Sequence, residues 1–245
     1  MAQEQTSKVV VFDLDETIGY FTEFGIFYDS LIKYLNAGQI NREWIFAKTL
    51  QLFPEVIRPN LFSVLTYLKK KKQDGMCSKV LIYTNNQGPR DWAHMIKRYI
   101  HKKLDYILFD SIIGAFKVRG KIEEVCRTSN EKSTTDLVRC AKLPKETHIC
   151  FIDDIYHENM DNVYYIKVSP YIHTISMNVM VNRFLESTVS HRLGIKVYTQ
   201  NRYIHYMRAK IHEYKYTYIV KETRSYDIDK IVTKQIMVLL QNFFH

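Results

Sequence analysis

The sequence predicts an α/β protein in which a parallel sheet carries helices on both faces. Three observations predict it. The runs VVVF (9–12), VLIY (80–83) and ICFI (149–152) are apolar without alternation, as strands covered on both faces are. Segments with helical patterning separate them, which implies parallel βαβ units. Each run also ends in polar residues, and open α/β sheets bind ligands outside the carboxyl ends of their strands.

The elements follow in chain order. Residues 8–14 read as the first strand. Residues 18–28, rich in Ile, Tyr, Phe and Gly, suggest a short hairpin or flap. Helical patterns come near 29–36 and 43–52, and Pro54 and Pro59 punctuate the chain. A helix near 61–72 ends in the lysines 69–72, which suit a helix C-terminus. It leads to a strand at 79–83 that ends in TNNQGPR. A helix near 90–103 precedes DYILFDSIIGAF, which has strand character. A capped helix is expected at 133–141, strands at 148–154 and 163–168, and a helix at 174–186.

After about residue 187 the pattern changes. The tail holds 10 Lys and Arg against 4 Asp and Glu, with interleaved tyrosines. YKYTYIV (214–220) alternates like a strand, and residues 231–244 read as an amphipathic helix. The expected organisation is a main domain over 1–186 and a C-terminal extension or small subdomain over 187–245.

The 245 residues are 46% hydrophobic and 25% charged, an ordinary globular composition that excludes a disordered chain. No uninterrupted apolar run is long enough for a membrane span, and MAQEQTSK lacks the apolar region of a signal peptide. The expected setting is intracellular and soluble, cytoplasmic or nuclear. Cys77, Cys126, Cys140 and Cys150 are scattered, so free thiols are expected. A net charge of +9 favours anionic partners: phosphoproteins, nucleic acid, or simply the acidic surfaces of the cell.

The chemistry lies at the strand ends. The first strand ends at Asp13-Leu14-Asp15-Glu16-Thr17, the second at Thr84-Asn85-Asn86 and the third at Asp153-Asp154. Carboxylates converging from two strands repel one another and call for a cation. Few carboxylates, with water and substrate phosphate completing the shell, suit Mg²⁺. Beyond a strand end the backbone turns, so Asp13 and Asp15 can reach one substrate. One can attack while the other moves a proton. Thr17 and Thr84 offer hydroxyls, and a lysine would neutralise developing phosphoryl charge.

DLDET, VLIYTNN and ICFIDD, in this order, resemble three motifs of the haloacid dehalogenase (HAD) superfamily of phosphotransferases. Together with RPNLFSVLTYL (58–68) they resemble its FCP/SCP-type carboxy-terminal-domain phosphatases, the NLI-interacting-factor-like proteins. The resemblance covers about residues 8–186. It implies a HAD-like Rossmannoid sheet and a phosphomonoester hydrolase that works through an aspartyl-phosphate.

Residue by residue, it implies that Asp13 is the nucleophile and Asp15 the general acid and base. Asp13, the Asp15 carbonyl, Asp153 and Asp154 would hold Mg²⁺. Thr17, Thr84, Asn85 and a lysine would bind the phosphoryl group. Lys132, 21 residues before Asp153 (153 − 132 = 21), has the superfamily's spacing; Lys117 and Lys121 are its rivals. The family usually continues its first motif with Leu-Val, where this chain has Ile18-Gly19.

Little chain is left over for a large cap, which implies an open cleft and a phosphate displayed on a macromolecule; the helices at 29–53 are the alternative, as a small cap of their own. Phosphoserine or phosphothreonine of a protein is the expected substrate. Nucleic-acid ends or nucleotides are the alternative, favoured by the basic tail. A non-catalytic binding module on the same fold is the third reading.

Overall fold

VVVF lies in β1 (Lys8–Phe12), whose central residues are fully buried. In this computed structural model residues 7–36, 41–89, 91–195, 199–217, 219 and 223–245 are described. From β1 the chain runs through α1 (Thr22–Leu35), α2 (Arg42–Leu50), a 3₁₀ turn at Pro54–Val56, and α3 (Leu61–Gln73) into β2 (Lys79–Tyr83). There follow α4 (Asp91–Leu104), β3 (Ser111–Ile113), and a small antiparallel pair, β4 (Lys117–Val118) and β5 (Lys121–Ile122). Next come α5 (Thr134–Ala141), β6 (His148–Asp153) and β7 (Tyr164–Lys167). The chain ends with α6 (Met177–Leu185), α7 (Thr188–Arg192), α8 (Gln200–Glu213) and α9 (Thr223–Phe244).

The main sheet has five parallel strands in the order β3-β2-β1-β6-β7. This is the predicted α/β class, Rossmann-like, with helices flanking the sheet. β1 sits in the middle, which explains its apolar run. Phe12 is level with Ile82 on one side and Ile152 on the other. The residues after these three positions therefore emerge at one sheet edge.

The chain packs as two compact units. The first comprises Met1–Gly19, Arg58–Tyr171 and Arg224–His245; the second comprises Tyr20–Ile57 and Ile172–Thr223. The expected boundary at 186/187 falls inside the second unit. The tail splits because its two long helices, α8 and α9, serve different cores. α9 belongs with the sheet: the Lys8 ammonium donates to the Phe243 carbonyl (2.8 Å) and lies over the Phe243 and Phe244 rings. α8 packs instead against α1 and α6.

The first unit buries Val9, Val11, Leu81, Tyr83 and Phe151 against Leu137 and Ala141 of α5. In the second, Phe24 meets Phe46, and Phe27 meets Phe53 and Phe184 in edge-on contacts. Tyr203 of α8 is fully buried against Phe184 and Tyr34. Truncating a buried ring in such a cluster costs about 3–5 kcal/mol.

Three expectations are corrected. Residues 22–28 are helical, not a hairpin or flap, because Phe24, Phe27, Tyr28 and Leu31 are buried at helical spacing. Residues 214–217 and 219 form turn and irregular backbone, not a strand; Tyr218 and Val220 of that expected strand, and Tyr198, lie outside the described residues. Cys126 and Cys140 are paired in a disulfide with Cα atoms 5.2 Å apart. Spacing alone hid this: α5 folds back on the loop before it, where Arg139 donates to the Cys126 carbonyl (2.7 Å) and Asp136 accepts from the Thr128 amide (2.8 Å). Cys77 and Cys150 are free and buried. No described helix is long and apolar enough to cross a membrane.

Candidate metal centre at the sheet edge

β1 delivers Asp13 to the sheet edge, where its amide donates to the Ile152 carbonyl of β6 (2.9 Å). The chain then turns tightly. Glu16 takes a left-handed conformation (φ 60°), its amide donates to the Gly19 carbonyl (2.8 Å), and Ile18 donates back to Leu14 (2.9 Å). A non-glycine residue holds φ > 0 only where its surroundings impose it. Here the surroundings are Arg58, 1% exposed. Its guanidinium donates to the carbonyls of Thr17 (2.7 Å), Glu16 (2.6 Å) and Ser169 (2.8 Å).

β6 delivers the acidic pair. The Asp13, Asp153 and Asp154 carboxylates are all buried, and one oxygen from each lies within 4.8 Å of the others. Thr17 Oγ1 donates to Asp154 Oδ1 (3.0 Å) and accepts from the Asp154 amide (3.1 Å). Thr17 is therefore committed to Asp154. The Ser133-capped N-terminus of α5 places Lys132. It is 2% exposed and bridges Asp13 Oδ1 (2.5 Å) and Asp153 Oδ2 (2.6 Å). Lys117 and Lys121 sit exposed on the β4–β5 pair.

β2 delivers Thr84, buried, whose Oγ1 accepts from the Asn86 amide (3.0 Å). Asn86 Nδ2 donates to Asp15 Oδ2 (2.7 Å). Asn85 is engaged elsewhere. Its Nδ2 donates to the Asn130 carbonyl (2.9 Å) and its Oδ1 accepts from Arg127 (2.8 Å).

Burial dominates the electrostatics. It pushes Asp13 up to about 7 against the pull of Lys132, with Asp153 adding to the rise. It also raises Asp15, countered by the Asn86 hydrogen bond, and Asp154, countered by Thr17. For Asp153 burial is outweighed by His157 and Lys132, so its carboxyl lies below the usual range. Burial disfavours the Lys132 ammonium, but Asp13 and Asp153 overcome it and hold the group above its ordinary value. Three buried acids outnumber the one buried lysine, and a cation would favour the ionised form that burial disfavours. A hard divalent cation fits this oxygen donor set.

Sequence reasoning passed over four neighbours. His157 Nε2 lies 3.4 Å from Asp153 Oδ2, and the sequence offered only a lone histidine after the DD pair. Asn86 stood beside Asn85 in the same motif, and only the turn geometry shows which amide faces Asp15. Arg58 opens a motif whose apolar residues attract the eye. Arg127, 3% exposed, lies over the Tyr83 ring and donates to the carbonyls of Gly114 (2.8 Å), Asn130 (3.0 Å) and Glu131 (3.2 Å). With its bond to Asn85 it ties the Thr84 loop to the segment that carries Lys132.

The fold and the site thus define a parallel α/β protein with a buried, lysine-bridged acidic centre at the carboxyl edge of its central strands. Comparison with family models, with curated proteins and with solved structures finds no match to this chain.

Proposed function

We propose that the chain is a Mg²⁺-dependent phosphomonoesterase that works through an aspartyl-phosphate on Asp13. The observation that carries this reading is the burial of Lys132 between Asp13 and Asp153, at the ends of two adjacent parallel strands. An ammonium grips one nucleophile oxygen and leaves the other for attack. The resemblance of DLDET, VLIYTNN and ICFIDD to the HAD phosphotransferases supports the same chemistry.

Asp13, Asp153 and Asp154 would hold the ion, which would supply charge neutralisation for the incoming phosphate. In the first half-reaction an Asp13 oxygen forms a bond to phosphorus as the ester P–O bond breaks. Asp15 acts as general acid and gives its proton to the leaving oxygen, a role that its upward shift by burial favours. In the second half, water attacks the acyl phosphate, Asp15 takes the water's proton, and Asp13 returns as carboxylate with release of inorganic phosphate. Lys132 and Thr84 balance the phosphoryl charge. Phosphoserine or phosphothreonine of a protein is the proposed substrate class, and FCP/SCP-type phosphatases are the proposed kin.

The test is turnover of an aryl phosphate and of a phosphoserine peptide, with Mg²⁺ and with excess EDTA. Hydrolysis that requires Mg²⁺ and disappears in Asp13→Asn is expected. Full activity in EDTA, or retained activity in Asp13→Asn, would overturn the reading.

A further inference from the structure

The helical unit carries a second feature that the catalytic reading does not use. A cavity of about 510 Å³ opens between the start of α6 and the end of α8, within the range of small-ligand sites. Met177 and Val181, both buried, and half-buried Ile211 give it an apolar lining. Tyr216 adds a ring whose position is fixed, since its hydroxyl donates to Glu23 (3.0 Å) and is bonded to the Tyr20 hydroxyl (2.7 Å).

Two cations line the same cavity, Arg208 and Lys215, both exposed. Neither side chain makes a hydrogen bond or ion pair among the described residues. Lys210 of the same helix is neutralised by Glu213 (2.8 Å) and Lys33 by Asp29 (2.6 Å). The cavity thus combines an apolar lining, a fixed aromatic ring and two unpaired positive charges. Its occupant must carry a flat apolar body beside an anion.

We propose that this cavity binds a nucleotide unit, with the base on the Met177–Val181–Ile211 lining beside Tyr216 and the phosphate at Arg208 and Lys215. Base–aromatic stacking with cationic capture of phosphate is the usual chemistry of single-strand binding. A phosphoserine side chain is too short and polar to cover the apolar lining, and this unit has no described strand edge to hold a peptide. The inference stands independently of the phosphatase reading. The nucleotide can be free or part of a strand.

The experiment uses the full chain and a fluorescent single-stranded oligothymidylate at low salt. Thymidine monophosphate serves as competitor, and an abasic strand of equal length and a phosphoserine peptide of equal charge are the controls. Arg208→Gln with Lys215→Asn is the test variant; asparagine accepts the left-handed backbone at 215 (φ 48°). Arg202→Gln, on the same helix but outside the cavity lining, is the charge control, and a thermal melt checks folding.

The double variant should bind about tenfold more weakly and melt like the parent. Each single-strand phosphate contact contributes roughly 0.7 to the log–log salt slope, so the slope should fall by about 1.4. Competition by the mononucleotide would identify a free nucleotide as a sufficient ligand, and its failure a strand. The proposal is overturned if the oligonucleotide does not bind at low salt or if the abasic strand binds equally well. It also fails if the peptide binds as tightly, or if Arg202→Gln costs as much as the double variant.

Discussion

Take the ammonium away from Lys132 and two buried carboxylates lose their shared partner. Lys132→Met should therefore destabilise the protein by about 3–5 kcal/mol near neutral pH. The loss should shrink on acidification, because below about 7 Asp13 of the parent also takes a proton and its pairing with Lys132 weakens. Urea unfolding at about pH 5.5 and 7.5 tests this; an equal loss at both values would contradict it. Asp15→Asn should slow hydrolysis by about 10²- to 10⁴-fold, the usual value of general acid–base help. A burst of released alcohol followed by slow turnover would place its larger role in the second half-reaction. Asp13, Asp15, Thr84 and the aspartate pair were legible because they end buried strands in a fixed order. Asn86 and His157 were not. Which of two neighbouring asparagines faces Asp15 depends on a turn, and the contact of His157 with Asp153 depends on a loop.

At the scale of elements, Arg127 joins the end of β2 to the segment that enters α5. Arg127→Lys keeps the charge but cannot reproduce the planar fork. Turnover of an aryl phosphate should fall by about 10²-fold, as misplacement of reacting groups by an ångström costs. Lys117→Ala, on the exposed β4–β5 pair, should leave it unchanged. In α1, burial lifts Glu23 to about 7 from an ordinary 4.5. The folded chain holds this proton over a range where the unfolded chain has released it, so stability declines as pH rises from about 4.5 to 7. Glu23→Gln should remove that decline and add on the order of 1–2 kcal/mol at about pH 8. Melting the two proteins across pH decides it; parallel curves would refute the assignment. The first half of α1, residues 22–28, escaped sequence reading because aromatic and β-branched residues within residues 18–28 also favour strands, whereas its second half lies in the helical pattern expected near 29–36. The helical spacing of Phe24, Phe27, Tyr28 and Leu31 was the better guide. The Cys126–Cys140 pair escaped because proximity in space leaves no trace in spacing.

For the whole molecule, the parallel α/β class was readable from three apolar runs and the helical segments between them. The division into units was not, since it depends on which core each helix of a long tail joins. A bound cation should stabilise the native chain at neutral pH. At a hundred times its Kd, Mg²⁺ would add about 2.7 kcal/mol, and EDTA should lower the Tm accordingly. The Mg²⁺-induced rise should be smaller at about pH 5, where Asp13, held up to about 7, keeps its proton. The central place of β1 bears on how the chain is made. Its partner β6 begins 136 residues after β1 ends (148 − 12 = 136). At a synthesis rate of 5–20 residues per second, this gap takes roughly 7–27 s to translate. Throughout that time one edge of VVVF has no partner, and α9, which covers Lys8, is made later still. A ribosome-bound nascent chain of this protein therefore carries an apolar strand with one edge unpaired until β6 has been made, the kind of edge that chaperones meeting nascent chains shield.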